Sequence, residues 1–194
     1  GTACLALEDM MPDRQQIICS RSFGERIFTL DALQEAICSH ISRAAEKLRA
    51  QDALAGAVTV SIRTSPFPRE QSNYQRTVTA TLAEASADSR TLAHCALRTL
   101  KQIFRPGLAY QKAGVMLSDI RPRRAQQTAL FSSAHDTPES ARLMQTLDRI
   151  NARWGRGTMR LAAEGFDHSW QMKREHLSPC YTTEWNDLPH VKAG

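Results

Sequence analysis

An α+β fold, in which two helices alternate with four strands, is the fold class that the sequence predicts. Two segments of the 194-residue chain repeat apolar residues every three or four positions, which is typical of helices with one buried side. Four other segments are β-branched or alternate apolar with polar residues, which is typical of strands with one buried face. Along the chain these segments follow the order βαββαβ.

The first strand and the first helix open this pattern. Residues 16–22 are partly β-branched and are closed by Phe23-Gly24, so we predict a strand that ends in a turn. Thr29 can cap the helix that follows, because its hydroxyl can accept a hydrogen bond from a free backbone N–H. The predicted buried stripe of this helix consists of Leu33, Ile37, Ile41, Ala44 and Leu48.

Two strands, a helix and a last strand complete the pattern. Residues 58–63 and 77–82 alternate apolar and polar side chains and are predicted to be half-buried strands. The second helix is predicted over 88–104, and Pro106-Gly107 cannot continue it. The last strand is predicted over 110–120. One of its faces would carry Ala113, Val115 and Leu117, and the other Lys112, Gly114, Met116 and Ser118.

This order is that of the ferredoxin-like split βαβ fold, in which two helices cover one face of a four-stranded antiparallel sheet. The other face would stay open, and its expected side chains carry hydroxyl or basic groups that suit phosphate oxygens. A solvated face of threonines, which favour strands, fits the same pattern. The expected residues of this open face are Thr59, Ser61, Arg63, Thr77, Thr79, Thr81 and Lys112.

Composition and charge narrow the class of protein. The chain is 42% hydrophobic and 23% charged, and no apolar run approaches the ~20 residues that cross a bilayer, so we expect a soluble protein with no membrane partner. The net charge of +5 favours a polyanionic partner. Five scattered cysteines without a Cys-x-x-Cys pair indicate a reducing cytoplasm, in which Cys19, Cys38 and Cys95 would be core residues.

A polar linker is predicted at residues 121–137. Within it, Gln127, Thr128, Ala129, Leu130 and Phe131 form a short segment whose apolar end has no local core to join. An exposed Leu-Phe pair calls for an explanation. One interpretation is a docking peptide that adds extended backbone to a partner. The other is a linker whose aromatic side chain packs against its own domain.

The tail begins with a predicted third helix. Thr137 can cap it, Pro138 suits its first turn, and Gly155 would end it. Its apolar stripe consists of Leu143, Met144, Leu147 and Ile150. Beyond residue 158 only short strands or turns are expected, and His168, His176, Cys180 and His190 match no zinc-finger spacing, so we expect no metal site.

Several strings of residues together resemble one family. The resemblance is to the little-finger domain of Y-family translesion DNA polymerases of the UmuC type, followed by the extra C-terminal domain that these proteins carry. It covers nearly the whole chain. The strings are residues 18–25 (ICSRSFGE), 62–67 (IRTSPF), 110–116 (YQKAGVM), 151–158 (NARWGRGT), 170–174 (WQMKR), 177–179 (LSP) and 181–183 (YTT).

The resemblance implies a DNA grip through sugar-phosphate contacts with little reading of bases. Arginine offers a planar fork of donors, and small residues let the backbone approach the phosphates closely. By position, the implied DNA contacts are Ser20, Arg21, Ser22, Gly24, Arg63, Thr64, Gln111, Lys112 and Ala113.

The resemblance also implies partners. Residues 127–131 look like a sliding-clamp-binding motif, although Thr128 and Ala129 stand where Leu followed by Ser, Asp or Asn is commoner, which should weaken docking. The tail would join a processed UmuD-type accessory dimer and RecA. Trp154, Trp170 and Trp185, with Tyr181, would be interface anchors or the core of a small domain, and we expect core for at least two of them.

The implied organisation is that of a fragment. Residues 1–14 would be a linker from an upstream thumb, 15–120 the DNA-binding domain, 121–137 the linker with the clamp motif, and 138–194 the C-terminal domain. Catalysis in this family needs a palm whose carboxylates hold two metal ions. That palm and its Mg²⁺ would lie upstream of Gly1, so this chain would bind damaged and primed DNA in SOS mutagenesis but would be no enzyme and hold no cofactor.

Two alternatives stay open at this point. An RNA-binding module of the same strand and helix order would stack bases on aromatic residues of its central strands, but these strands offer Thr, Ser and Val. The other alternative is a stand-alone nucleic-acid-binding module of ferredoxin-like fold with a protein-interaction tail.

Overall fold

The computed structural model describes residues 14–67, 73–123, 137–166, 170–172 and 178–189. In these residues the predicted βαββαβ order is confirmed, and a third α-helix follows it. No helix in this part of the chain is long and apolar enough to cross a membrane. The elements are β1 (Ile17–Ile27), α1 (Leu30–Ala50), β2 (Ala53–Thr64), β3 (Gln75–Ser86), α2 (Ser89–Ile103), β4 (Tyr110–Pro122) and α3 (Pro138–Trp154).

The four strands form one antiparallel sheet in the order β1-β4-β2-β3. Strand β4 lies between β1 and β2, and β2 lies between β4 and β3. Each strand–helix–strand unit therefore has another strand inserted into it, which is the split arrangement that the sequence predicts. The order makes β2 and β4 the central strands and leaves β1 and β3 at the edges.

Side-chain caps fix the start of each helix. The hydroxyl of Thr29 accepts a hydrogen bond from the N–H of Ala32 at 3.4 Å, which confirms the cap predicted for α1. The carboxylate of Asp88 accepts from the N–H of Arg90 at 2.7 Å at the start of α2. Thr137 caps α3, with Pro138 in the first turn as predicted.

The core lies between the sheet and the pair formed by α1 and α2. The predicted stripe of α1 and the inward face of β4 are fully or almost fully buried. Cys19 and Cys38 are buried in this core as predicted, whereas Cys95 is only half-buried. Burial first, and then the charges of Glu164 and Glu35, raise the pKa of Cys38 to about 11, so this thiol stays protonated at neutral pH.

Helix α3 lies against the ends of α1 and α2. Of its predicted apolar stripe, only Met144 is buried, while Leu143 is exposed and the other two residues are half-buried. The guanidinium of Arg49 makes two hydrogen bonds to the carboxylate of Asp148, at 2.6 and 2.7 Å. Contacts between polar side chains therefore contribute much of the attachment of α3.

The aromatic residues of the tail do not form a core of their own. Trp170 is 5% exposed and packs edge-on against Phe23 and His40, in the core beneath the sheet. Trp154 and Trp185 are 62% and 85% exposed, and Tyr181 is exposed as well. The expectation that at least two of these residues are core residues is wrong, because only Trp170 is buried, and it packs against residues of β1 and α1.

Candidate nucleic-acid interface

The sheet face opposite the helices carries three rows of side chains, each running across all four strands. The antiparallel register places Arg63 opposite Lys112 on one side and opposite Gln75 on the other. Since alternate residues of a strand share a face, the register defines the rows. They are Ser22, Lys112, Arg63 and Gln75; Ser20, Gly114, Ser61 and Thr77; and Ile18, Met116, Thr59 and Thr79.

The first row concentrates positive charge on the two central strands, near one end of the sheet. Arg63 and Lys112 are direct cross-strand neighbours, an arrangement that is destabilising for like charges unless something offsets it. Neither makes an ion pair with a carboxylate in the described part of the chain. The Nε atom of Arg63 is buried without a hydrogen-bond partner there. An anion placed over this row would satisfy both cations.

The middle row consists of small side chains, and most of them carry hydroxyl groups. A Cβ atom on Gly114 would lie 2.4 Å from the Cβ of Ser20, so glycine is needed for β1 and β4 to approach this closely. The hydroxyl of Ser61 donates to the carbonyl of Gly114 at 3.3 Å, and the hydroxyls of Thr59 and Thr79 lie 2.7 Å apart. These rows line a shallow depression of about 300 Å³. Its polar groups suit phosphate and sugar oxygens.

Three of the predicted DNA contacts lie on the helix side of the sheet. Arg21 alternates with Ser20 and Ser22, and its charge acts on His40 of α1. The side-chain amide of Gln111 donates to the carbonyl of Phe23 at 3.3 Å. Ala113 is 1% exposed in the core, so its side chain cannot contact DNA.

Two further predicted contacts are already engaged within the protein. The hydroxyl of Thr64 accepts from the N–H of Tyr74 at 2.9 Å, and Thr64 is 3% exposed. The N–H of Gly24 donates to the carbonyl of Trp170 at 3.1 Å. Of the residues implied as DNA contacts, the structure therefore brings together Ser20, Ser22, Arg63 and Lys112 on the open face.

One residue of the first row was not implied by the resemblance. Gln75 reaches this row because β3 pairs with β2 in the register that sets it opposite Arg63. The sequence offered a signal for its strand, but only the register places it beside the two cations.

The remaining sequence-predicted sites are the clamp motif and the histidines of the tail. The segment 127–131 lies outside the described residues. So do His168, His176 and His190, whereas Cys180 is exposed. Within the residues that are described, no group of three or more His, Cys, Asp or Glu side chains could hold a metal ion.

Comparison with known proteins identifies two family models along the chain. The impB/mucB/samB family C-terminal domain matches residues 14–130, and a domain of unknown function (DUF4113) matches residues 141–191. The chain is 43% identical over 194 residues to Protein ImpB of Salmonella typhimurium, covering 100% of this chain and 46% of that protein. It is 42% identical over 192 residues to Protein UmuC of Salmonella typhimurium strain LT2, covering 99% and 46%. The chain thus spans about half the length of these curated relatives.

Solved structures show more distant likenesses. A complex of the beta-clamp processivity factor and the little finger domain of PolIV matches with a TM-score of 0.39 and 18% identity, over 60% of this chain and 99% of that one. An insertion ternary complex of Dbh DNA polymerase matches with a TM-score of 0.40 and 14% identity, over 58% and 31%. Likenesses at these TM-scores say nothing about what this chain binds.

Proposed function

This chain belongs to the impB/mucB/samB family, and from that membership we propose that it is the DNA-binding and partner-docking C-terminal region of a UmuC-type translesion DNA polymerase. In this proposal the protein acts in the cytoplasm in SOS DNA repair and mutagenesis. The open face holds template and primer by their sugar-phosphate backbones. The polymerase reaction and its Mg²⁺ belong to a catalytic palm outside this chain.

The observation that carries the proposal is the pairing of Arg63 with Lys112 on the two central strands, near one end of an open face that otherwise offers mostly hydroxyl groups. Phosphate contacts fix a protein on a duplex but carry no sequence information. None of the twelve residues in the three rows is acidic, so nothing in them repels a phosphate. A grip of this kind tolerates damaged bases, because it does not depend on their edges.

The test is the affinity of the full chain for primer–template duplexes of several sequences. The double variant Arg63→Gln plus Lys112→Gln should bind all of them more weakly and to a similar extent. Its log affinity should fall less steeply with log salt, by about 0.9 for each phosphate that the variant no longer neutralises. The matched control is Arg98→Gln plus Lys101→Gln, which removes the same charge from exposed positions on α2. Equal affinities of the two variants, or a marked base preference of the wild type, would contradict the proposal.

We further propose that residues 127–131 dock on the sliding clamp, with Gln127 and the Leu130-Phe131 pair as the groups that the partner holds. The support is the sequence motif and its place directly after the DNA-binding domain. Losing both apolar side chains forfeits several kcal/mol of burial, on the order of 2 kcal/mol each. Leu130→Ala plus Phe131→Ala should therefore abolish capture of the chain by immobilised clamp. Ser132→Ala plus Ser133→Ala is the neighbouring control, and capture that survives the first double variant would exclude the motif.

We also propose that the tail binds two protein partners, which are an accessory dimer of the processed UmuD type and RecA. What supports this assignment is the exposure of large aromatic side chains, which are frequent anchors of interfaces. Trp154 is 62% exposed with the Arg153 guanidinium 4.8 Å from its ring centroid, and Trp185 is 85% exposed. Trp170 is not a candidate anchor for a partner, because its side chain is buried in the core.

A further inference from the structure

A cleft of about 630 Å³ lies on the helix side of β1, away from the open face. Its walls come from β1, α1, the start of α2, α3, residues 156–164 and residues 170–172. The first three elements belong to the part matched by the impB/mucB/samB domain, and the other lining residues belong to the part matched by the second family model. A cleft of this size is large enough for a ligand.

Five arginines line this cleft against three carboxylates. The carboxylates are already bonded within the protein. Asp148 accepts two hydrogen bonds from Arg49, at 2.6 and 2.7 Å. Glu46 is shared between Arg43 and Arg156, and the latter pair is 3.7 Å apart. The remaining carboxylate, on Glu164, accepts from the hydroxyl of Ser42 at 2.7 Å and the N–H of Leu161 at 3.2 Å.

Among the described residues of the cleft, Arg21 is the clearest source of positive charge. Arg21 is exposed, and its side chain makes no hydrogen bond or ion pair in the described part of the chain. Arg156 is 66% exposed and shares its single carboxylate with Arg43. Exposed donors also come from Ser22 and Gln171. Guanidinium groups beside hydroxyl and amide donors are the set that binds phosphate oxygens.

The cleft continues the basic row of the open face. That row runs from Arg63 through Lys112 to Ser22 on β1, which is an edge strand. Ser22 also lies at the rim of the cleft, next to Arg21. Positive groups thus lead across the sheet and around its β1 edge. A duplex is too stiff to follow such a turn, because its persistence length is about 150 base pairs, whereas a single strand can bend around it.

We propose that this cleft binds the phosphate groups of single-stranded DNA that continues from the open face around the β1 edge. The inference rests on the proposed function, since the open face must hold the adjoining duplex. Arg21 and Arg156 contact the phosphates. The thioethers of Met159 and Met172, which are 43% and 46% exposed, offer apolar surface to the unpaired bases.

The experiment compares a blunt duplex with the same duplex carrying a single-stranded template overhang, both bound to the full chain in an anisotropy titration. The overhang should raise the affinity of the wild type. Arg21→Gln plus Arg156→Gln should remove that gain, and it should weaken binding of the blunt duplex no more than the matched control does. The salt slope for the overhang substrate should fall by roughly 0.7 for each phosphate of the single strand that is no longer neutralised. The matched control, Arg98→Gln plus Arg149→Gln, removes two exposed arginines outside the cleft and should keep the full gain.

The remaining outcomes separate this inference from the proposed function. If blunt-duplex affinity does not depend on Arg63 and Lys112, the proposed function fails, while the overhang comparison still reports on the cleft. An overhang gain that persists in Arg21→Gln plus Arg156→Gln overturns the inference. Inorganic pyrophosphate and a nucleoside triphosphate are titrated as well. Binding of either that depends on Arg21, without an overhang effect, would make the cleft a site for small phosphate compounds and overturn its assignment to DNA.

Discussion

His40 on α1 is a polar side chain that the fold buries beneath Trp170. It is 6% exposed, and its Nε2 atom has no hydrogen-bond partner among the described residues. Burial, followed by the charge of Arg21, lowers the pKa of His40 from 6.5 to about 4. Between these two values the unfolded chain binds more protons than the folded one. The contribution of the neutral His40 side chain to the free energy of unfolding is therefore complete above pH 6.5 and is lost as the pH falls towards 4.

This residue should make the stability of the protein depend on pH. The free energy of unfolding is expected to fall by about 2 kcal/mol between about pH 7.5 and about pH 5 because of His40 alone. His40→Leu should flatten this dependence, since leucine has no proton to bind. Urea unfolding at both pH values measures it, with His94→Leu, an exposed position on α2, as the control that keeps the wild-type slope. Parallel slopes for wild type and His40→Leu would refute the assignment.

Single residues also show how far the sequence could define the candidate site. Ser20, Arg21 and Ser22 are contiguous, and the family resemblance implied them as one block of DNA contacts. The two-residue period of a strand separates them, so the serines face outward and Arg21 lies beside His40. Gln75 joins Arg63 only through the strand register, which no local pattern specifies. The residue types were predictable, but their grouping on one surface was not.

At the scale of elements, a buried polar network holds α3 to the start of α2. Asp88 caps α2 and accepts hydrogen bonds from the guanidinium of Arg90, at 2.6 Å, and from the hydroxyl of Ser140 on α3. Burial raises the pKa of Asp88, but the hydrogen bonds from Arg90 and Ser140 and the charge of Arg90 outweigh it, so the pKa lies below its usual value of 3.8. The ionised Asp88 side chain therefore stabilises the fold above pH 3.8, and this contribution is lost as the pH falls below that value.

Removing this carboxylate should loosen α3 as well as destabilise α2. Asp88→Ala deletes a helix cap and leaves the buried hydroxyl of Ser140 without its acceptor, so we expect a loss of at least about 2 kcal/mol at neutral pH. Amide hydrogens of α3 should exchange faster than in the wild type. Asp31→Ala, in the exposed first turn of α1, is the control and should cost less than about 1 kcal/mol. A similar small loss in both variants, with α3 still protected, would show that the network does not hold the helix.

The helices were the most predictable elements, and the docking of α3 was the least. Periodic apolar residues, the Thr29 cap of α1 and the Pro106-Gly107 stop signal after α2 located both helices to within two residues, because these signals are local. The apolar stripe predicted for α3 does not identify its contact face, since only Met144 of that stripe is buried. Arg49, Asp88 and Ser140 make the contact instead, and a polar residue on a helix gives no periodic signal of burial.

At the scale of the whole molecule, Trp170 of the tail completes the core between the sheet and its two helices. Trp170 belongs to the part matched by the second family model, yet it packs against Phe23 of β1. The turn predicted at Phe23-Gly24 is wrong, because β1 continues through these residues to Ile27, with an irregular register against β4. The carbonyl of Trp170 accepts the hydrogen bond from Gly24 in this stretch of β1. The tail and the β1 edge of the open face are therefore expected to fold and unfold together.

Trp170→Ala tests this coupling. The variant removes a 95% buried indole, and we expect a loss of about 3 to 5 kcal/mol of unfolding free energy together with weaker DNA binding, because the end of β1 loses its support. Trp185→Ala is the matched control for stability, since that side chain is 85% exposed and its loss should leave the urea midpoint unchanged. The same control tests the partner assignment, because an interface anchor should lose capture of the accessory dimer or RecA without any loss of fold. Equal stability of Trp170→Ala and Trp185→Ala would make the tail energetically independent of the sheet. Undiminished capture of both partners by Trp185→Ala would show that Trp185 is not part of the interface.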